Sequence, residues 1–300
     1  MSFPSLQPAS RLTPHDSARQ LAASARWALE QEALLSPKPA LVDQRGQGAH
    51  SDMHLQLMLD SARCLEPYFA QMAAAAQHSD NPLHLRARLG LLGREAEAAM
   101  LATTGGVNTH RGAIWALGLL TAAAAQHSAD GLIACTHSDQ LLHGAARLAR
   151  LPDPALLHQR PASKGSTACQ RYAVNGAREQ AQQGFPQIQQ QALPQLRSSR
   201  QRGDSETIAR LNALLAIMTH LSDTCVLSRA GMAGLRTLQT GAQHVLALGG
   251  CGALAGRRAL LQLEQQLLAL NASAGGAADL LAATLFIDSL CADNNNDKEQ

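Results

Sequence analysis

The chain has 300 residues, 46% of them hydrophobic and 16% charged, with a formal net charge of +2. That content excludes a disordered chain, and so mild a positive balance excludes a general binder of nucleic acid or anionic membrane. Aromatic residues are only 3%, so the core must be built from Leu, Ala and Met, which are strong helix formers, and few β-branched runs exist to make strands.

Residues 1–12 read as a flexible arm. Thr13-Pro14 then starts a helix, with an N-cap oxygen followed by a residue pre-set for the first helical position, and Leu21, Ala25, Ala28 and Leu29 give its apolar stripe to about Leu34. Two prolines and two glycines make 36–50 a loop. A second helix is expected from near Ser51, with Pro67 kinking or breaking it. Asn81-Pro82 opens a third, through about Ala102. After the break at 103–112 a helix resumes through Trp115 and Ala123, and another spans about Ala129 to Ala149. Eight Pro and Gly residues punctuate 151–202, a long and partly helical excursion suited to a lid or binding loop. Helices return at roughly 204–220, 222–248, 257–270 and 277–291, and 292–300 read as a disordered tail. The expected fold is all-α, one bundle-like domain over 13–291 whose polar loops form a nucleotide site.

The uncharged stretches at 112–125 and 245–256 are shorter than the ~20 residues a membrane span needs. The first dozen residues lack the basic start and apolar run of a secretory signal, and the six cysteines form no CxxC pair. The expectation is a cytoplasmic protein with free thiols and no zinc. Only Lys38, Lys164 and Lys298 are lysines, against 22 arginines, which suggests that Lys is kept where a compact point charge is needed.

Four segments concentrate polar residues. Lys38, Asp43, Arg45, His50 and Asp52 lie in 38–52, which leads into a helix N-terminus, a place that favours an anion. Glu95 and Glu97 precede Gly105, Gly106, Asn108, Thr109, His110 and Arg111. Positions i and i+2 leave a helix in different directions, so the two carboxylates cannot both aim at one site, and one of them is expected to face the core. The Gly105-Gly106 pair can take positive φ and turn backbone amides toward phosphate, although no P-loop motif occurs. Lys164-Gly165 sits among hydroxyls, and Asp223, Arg229 and Asp279 lie among the C-terminal helices. These residues point to a helical protein able to gather polar loops around an anionic nucleotide.

Several stretches match one family in its order: Ser-Pro-Lys-Pro-Ala-Leu-Val-Asp (36–43), Gly-Ala-His-Ser-Asp-Met (48–53), Glu-Ala-Glu-Ala-Ala-Met-Leu-Ala-Thr-Thr-Gly-Gly-Val-Asn-Thr-His-Arg-Gly (95–112), Ser-Lys-Gly (163–165), Gly-Ala-Arg-Glu (176–179), Gly-Phe-Pro (184–186), Asp-Thr (223–224) and Gly-Gly-Ala-Ala-Asp-Leu-Leu-Ala (275–282). The chain resembles the triphosphoribosyl-dephospho-CoA synthases, which serve citrate lyase and malonate decarboxylase, and its 103–120 stretch looks more like the malonate decarboxylase branch. Ala40, Arg111 and Cys225 depart from that pattern, where Gly, Lys and Asn are the expected residues.

The resemblance implies that ATP and 3'-dephospho-CoA give 2'-(5''-triphosphoribosyl)-3'-dephospho-CoA and adenine, and that the product passes to a carrier-protein transferase. It implies Mg2+ with the ATP. It offers Glu95, Glu97, His110 and His50 for acid, base or cation-stabilising work. Lys38, Gly105, Gly106, Asn108, Thr109, Arg111, Lys164 and Gly165 are offered for ATP and its phosphates, and Asp43, Asp52 and Asp279 for magnesium. A homodimer is compatible with it. The competing readings are a magnesium-dependent helical nucleotide pyrophosphohydrolase and a non-catalytic helical docking module.

Overall fold

A computed structural model describes residues 14–127, 137–156 and 163–296. Among these the chain is all-α, without β-strands: α1 (Pro14–Leu34), α2 (Leu55–Gln77), α3 (Pro82–Thr103), α4 (Arg111–His127), α5 (Ser138–Arg150), α6 (Lys164–Tyr172), α7 (Ala177–Gln182), α8 (Leu193–Gln201), α9 (Glu206–Met218), α10 (Thr224–Ala247), α11 (Leu254–Ala269) and α12 (Gly275–Asn296). The arm at 1–12, the first part of the helix expected from Ala129, Cys135 and the end of the tail at 297–300 lie outside the described residues.

The middle of the molecule is α4. From Ala113 to Ala125 its residues are buried apart from Trp115, so it is apolar around most of its circumference, as a helix surrounded by other helices must be. It packs on α1, α2, α3, α5, α7 and α12. Small side chains allow these axes to come close: a Cβ at Gly118 would meet Met72 Sδ of α2 at 2.7 Å. The core is mostly Leu and Ala, with Phe69, Phe185 and Phe286 as its fully buried rings. Helix α12 runs beside α4 and α1 and buries Leu281, Leu285, Phe286 and Ile287.

Local signals account for most helix starts. Asn81 caps α3 by accepting from Leu83 and His84 N–H, with Pro82 at the first position. Ser163 and Ser166 form a capping box at α6, and Ser205 caps α9. Three expectations are corrected. Helix α2 starts at Leu55 rather than near Ser51, because the His54 side chain accepts from Leu57 N–H. It also continues through Pro67, whose exposed position leaves the unpaired carbonyl of the preceding turn facing water. Helix α10 is not one straight rod: Gly231 takes φ 63°, ψ −161°, a conformation open to glycine, and the chain kinks there under Tyr172 Oη. The excursion at 151–202 holds α6, α7, α8 and a π-turn at Ile188–Ala192. No described helix is long and apolar enough to cross a membrane. Cys64, Cys169, Cys225 and Cys251 are free thiols.

Leu117 is fully buried at the centre of α4. Leu117→Ala should lower the unfolding free energy by about 2–5 kcal/mol, read as a lower denaturant midpoint at unchanged slope.

Candidate active site

The loop from Leu35 to His54 is fixed from within. Lys38 is 1% exposed, and its ammonium donates to Glu32 Oε1 at 2.5 Å and to the Glu32 carbonyl at 2.6 Å. Asp43 accepts from Lys38 N–H, Ser36 Oγ, and the backbone and guanidinium of Arg45; Arg45 also bridges to Glu264 of α11. These donors hold the Asp43 carboxyl below the ordinary carboxylate range against the opposing effect of burial, which is the largest single influence on it. Lys38 therefore faces Glu32 in this conformation, and both oxygens of Asp43 are occupied by protein donors.

The other end of this loop rests on the C-terminal helices. His50 Nε2 lies 2.7 Å from Ser273 Oγ just before α12, and Arg229 of α10 donates to the Ala49 carbonyl and to Asn271. Burial first, then the Arg229 charge, lowers the His50 pKa. Asp52 is 60% exposed, with Oδ1 3.5 Å from His50 Nδ1.

The segment from Glu95 to Arg111 turns at the end of α3. Ala96 and Met100 fill its buried positions, so neither carboxylate faces the core; Glu95 is exposed and Glu97 pairs with Arg111 at the rim. An apolar neighbour has displaced the expected buried carboxylate. Gly105 and Gly106 take φ of 63° and 92° on the surface, and Asn108 Oδ1 accepts from Arg111 N–H. Thr109 Oγ1 and His110 Nδ1 both meet Ser61 Oγ of α2, at 2.7 and 2.8 Å. His110 is 2% exposed and its Nε2 has no hydrogen-bond partner. Burial, with the nearby Lys38 charge, lowers its pKa to about 3. A neutral imidazole of that strength is a poor proton acceptor near pH 7.

A cleft opens where the first turns of α4, α10 and α12 meet. Its lining includes Gly112, Trp115, Gly176, Ala177, Asp223, Thr224, Gly276 and Asp279, and about 50 Å³ of it admits a water-sized sphere. Buried Asp223 caps two helices at once: it accepts from Cys225 and Val226 N–H of α10 and from Ala277 N–H of α12. Asp279 reaches from α12 to α4, where Ala113 N–H donates to it, and a Cβ on Gly112 would stand 2.1 Å from Asp279 Oδ2, so only glycine admits this approach. Burial, then the charges of Glu32 and Asp223, push the Asp279 carboxyl well above the ordinary range. Trp115 Nε1 donates to the Ala177 carbonyl and ties α7 to the cleft wall.

The predicted residues thus fall in three places. Asp279 lies in the cleft. Lys38, His110 and Thr109 form an interior layer beside it, with Glu32 acting on Asp279 and Lys38 acting on His110. Arg111 and Glu97 stand at the rim, His50 and Asp52 below α12, and Lys164 is exposed at the start of α6, where Gly165 rests against Thr224. Glu95, Asn108, Gly105 and Gly106 are surface residues. Among the described residues no three His, Cys, Asp or Glu side chains gather to hold a metal ion. Sequence reasoning missed Glu32, a lone acid in the last turn of α1. It also left Asp223 out of the site although the Asp-Thr pair had been noticed.

A model of the ATP:dephospho-CoA triphosphoribosyl transferase family matches residues 18–298. A protein of Pseudomonas savastanoi pv. phaseolicola, named a probable 2-(5''-triphosphoribosyl)-3'-dephosphocoenzyme-A synthase, is 60% identical over 283 residues, covering 93% of this chain and 95% of the relative. A Klebsiella pneumoniae protein named 2-(5''-triphosphoribosyl)-3'-dephosphocoenzyme-A synthase is 57% identical over 268 residues, 89% of this chain and 93% of its own. No solved structure matches.

The buried pair generates a stability prediction. Lys38→Met leaves Glu32 buried and uncompensated and should cost about 3–5 kcal/mol, whereas Lys38→Met with Glu32→Leu should recover most of that loss. Denaturant unfolding of the two variants checks it.

Proposed function

From the premise that the chain belongs to the ATP:dephospho-CoA triphosphoribosyl transferase family, we propose that the cleft between α4, α10 and α12 is where the triphosphoribosyl group of ATP passes to 3'-dephospho-CoA, releasing adenine. The observation that carries this reading is Asp279, a carboxyl with a raised pKa set among three helix N-termini. The N-termini favour anionic phosphates, and the carboxyl supplies acid chemistry beside them.

The C1''–N9 bond of ATP breaks and a bond from C1'' to the acceptor 2'-oxygen forms. Adenine needs a proton as it leaves, and the half-buried Asp279 carboxyl, whose hold on a proton is raised by desolvation and then by the charges of Glu32 and Asp223, donates it. The resulting carboxylate faces the sugar carbon as positive charge develops there, then takes the proton from the attacking 2'-hydroxyl. One residue therefore serves as acid and base, and the proton count closes. His110 positions the turn through Ser61 rather than moving a proton. Arg111, with Glu97, and Lys164 stand at the rim for the outer phosphates.

Magnesium fits in one mode. Asp43 is filled by protein donors, Asp52 is remote on the surface and Asp279 is assigned to the proton transfer, so an ion entering with ATP would be held by phosphate oxygens and water. It would neutralise phosphate charge. The cleft is too narrow for a nucleotide as it stands, so its wall would have to open to admit one. The 103–120 stretch favours a product destined for a malonate decarboxylase acyl carrier subunit in the cytoplasm.

The test is to incubate the protein with ATP, Mg2+ and dephospho-CoA and separate the products. Adenine appears only with both substrates; phosphate or pyrophosphate without adenine would turn the reading to a hydrolase. Asp279→Asn should cut adenine release at least ~10²-fold.

Stability should move the other way. The folded state holds the Asp279 proton to higher pH than the unfolded chain, so the wild type loses stability as pH rises from the ordinary carboxylate value of 3.8 toward the raised one. Asp279→Asn lacks that loss. The melting temperature of the variant relative to wild type should therefore increase between pH 4 and pH 8; a difference independent of pH would refute the shifted carboxyl.

A further inference from the structure

The motif Gly176-Ala177-Arg178-Glu179 is not absorbed by the chemistry above. Glu179 has a local task, accepting from Gly176 N–H to cap α7. Arg178 has no such task. It is half-buried on α7, beside the residue whose carbonyl holds Trp115, and near enough to Arg86 for their charges to repel. Arg86 is 4% exposed, stacks on the Trp115 ring with its guanidinium carbon 5.3 Å from the centroid, and has a buried Nε without a partner. Its Nη1 lies 3.4 Å from Asp153 Oδ2, which Arg94 shares at 2.9 Å. Two guanidiniums thus share one carboxylate and a third, Arg178, acts on Arg86, leaving a formal excess of two positive charges beside a wall of the cleft.

Burying such an excess is costly unless a counter-charge arrives. Arginine forks match phosphate oxygens, and Trp115 spans the gap: one face lies under Arg86, and the ring also lines the cleft that holds Asp279. We propose that Arg178 and Arg86, with Arg94, form the seat of the diphosphate of dephospho-CoA, which places its ribose in the cleft over Trp115. A diphosphate diester carries two negative charges and matches the excess; the ATP triphosphate carries more and is served by the helix N-termini and rim. The assignment deepens the transferase reading and rests on it.

Among the described residues Arg178 has no ion-pair partner, so Arg178→Gln should fold. It should raise KM for dephospho-CoA about tenfold to a hundredfold, the loss expected for a charge-assisted bond, and leave KM for ATP within about twofold. A rise in KM for ATP of equal or greater size, or no change in either, overturns the assignment.

A binding measurement separates this from the reaction itself. In a Trp27→Phe background Trp115 is the sole tryptophan. Dephospho-CoA should change its fluorescence, inorganic pyrophosphate should compete, and Arg178→Gln should weaken the titration by the same factor. If adenine is never released yet this titration behaves so, the site stands and the reaction falls. If adenine is released and pyrophosphate does not compete, the site falls alone.

Discussion

Three helix N-termini cannot be packed together without negative charge between them. Each leaves backbone N–H groups unpaired and carries a partial positive charge, so bare convergence would both repel and strand donors. Asp223 meets this constraint between α10 and α12, and Asp279 meets it between α12 and α4. The two carboxyls act as mortar as much as chemistry. Gly112 and Gly276 leave them room, since a Cβ at either would stand within 3.0 Å of a carboxylate oxygen.

That arrangement sets the electrostatics of the cleft. Helix-end N–H groups there are answered by Asp223 and Asp279, and Lys38 is held inside by Glu32. Burial first, and then the Glu32 charge, raises Asp279, and burial first, and then the Lys38 charge, lowers His110. The interior layer thus adds to what burial does to protonation near the cleft, and Arg111 stands at its edge. This division suits a reaction in which the triphosphate stays intact and only the sugar carbon changes partner.

The fold class was legible because composition and caps are local: an alanine- and leucine-rich chain with Asn81-Pro82 and Ser163 at helix starts declares helices directly. The kink at Gly231 and the continuity through Pro67 were not legible, because each depends on what packs against, or leaves open, that turn. Asp279 was read from the sequence as a candidate magnesium ligand, and the structure sets it in the cleft. Its raised pKa comes first from burial and then from Glu32, 247 positions earlier in the chain, and no spacing rule connects two such residues. Lys38 was read as a phosphate ligand in a loop of prolines and glycines. Only the fold shows that its ammonium turns inward to Glu32.

The two polyphosphate substrates raise a problem of discrimination. A cleft built only from helix ends would hold either nucleotide in either orientation, since dipoles recognise charge but not its spacing. Bond exchange at C1'' requires that donor and acceptor never swap places. Side chains with fixed geometry are needed on one side, and on the proposed reading the guanidiniums that stack on and lie near Trp115 supply them, while Asp223 and Asp279 line the cleft itself. Arg86 stacks on the indole and the Ala177 carbonyl accepts from its nitrogen, so the ring is held from two sides. A divider held in this way between a charge-matching region and a proton-moving region would let a helical bundle with few polar residues tell one adenosine phosphate from another.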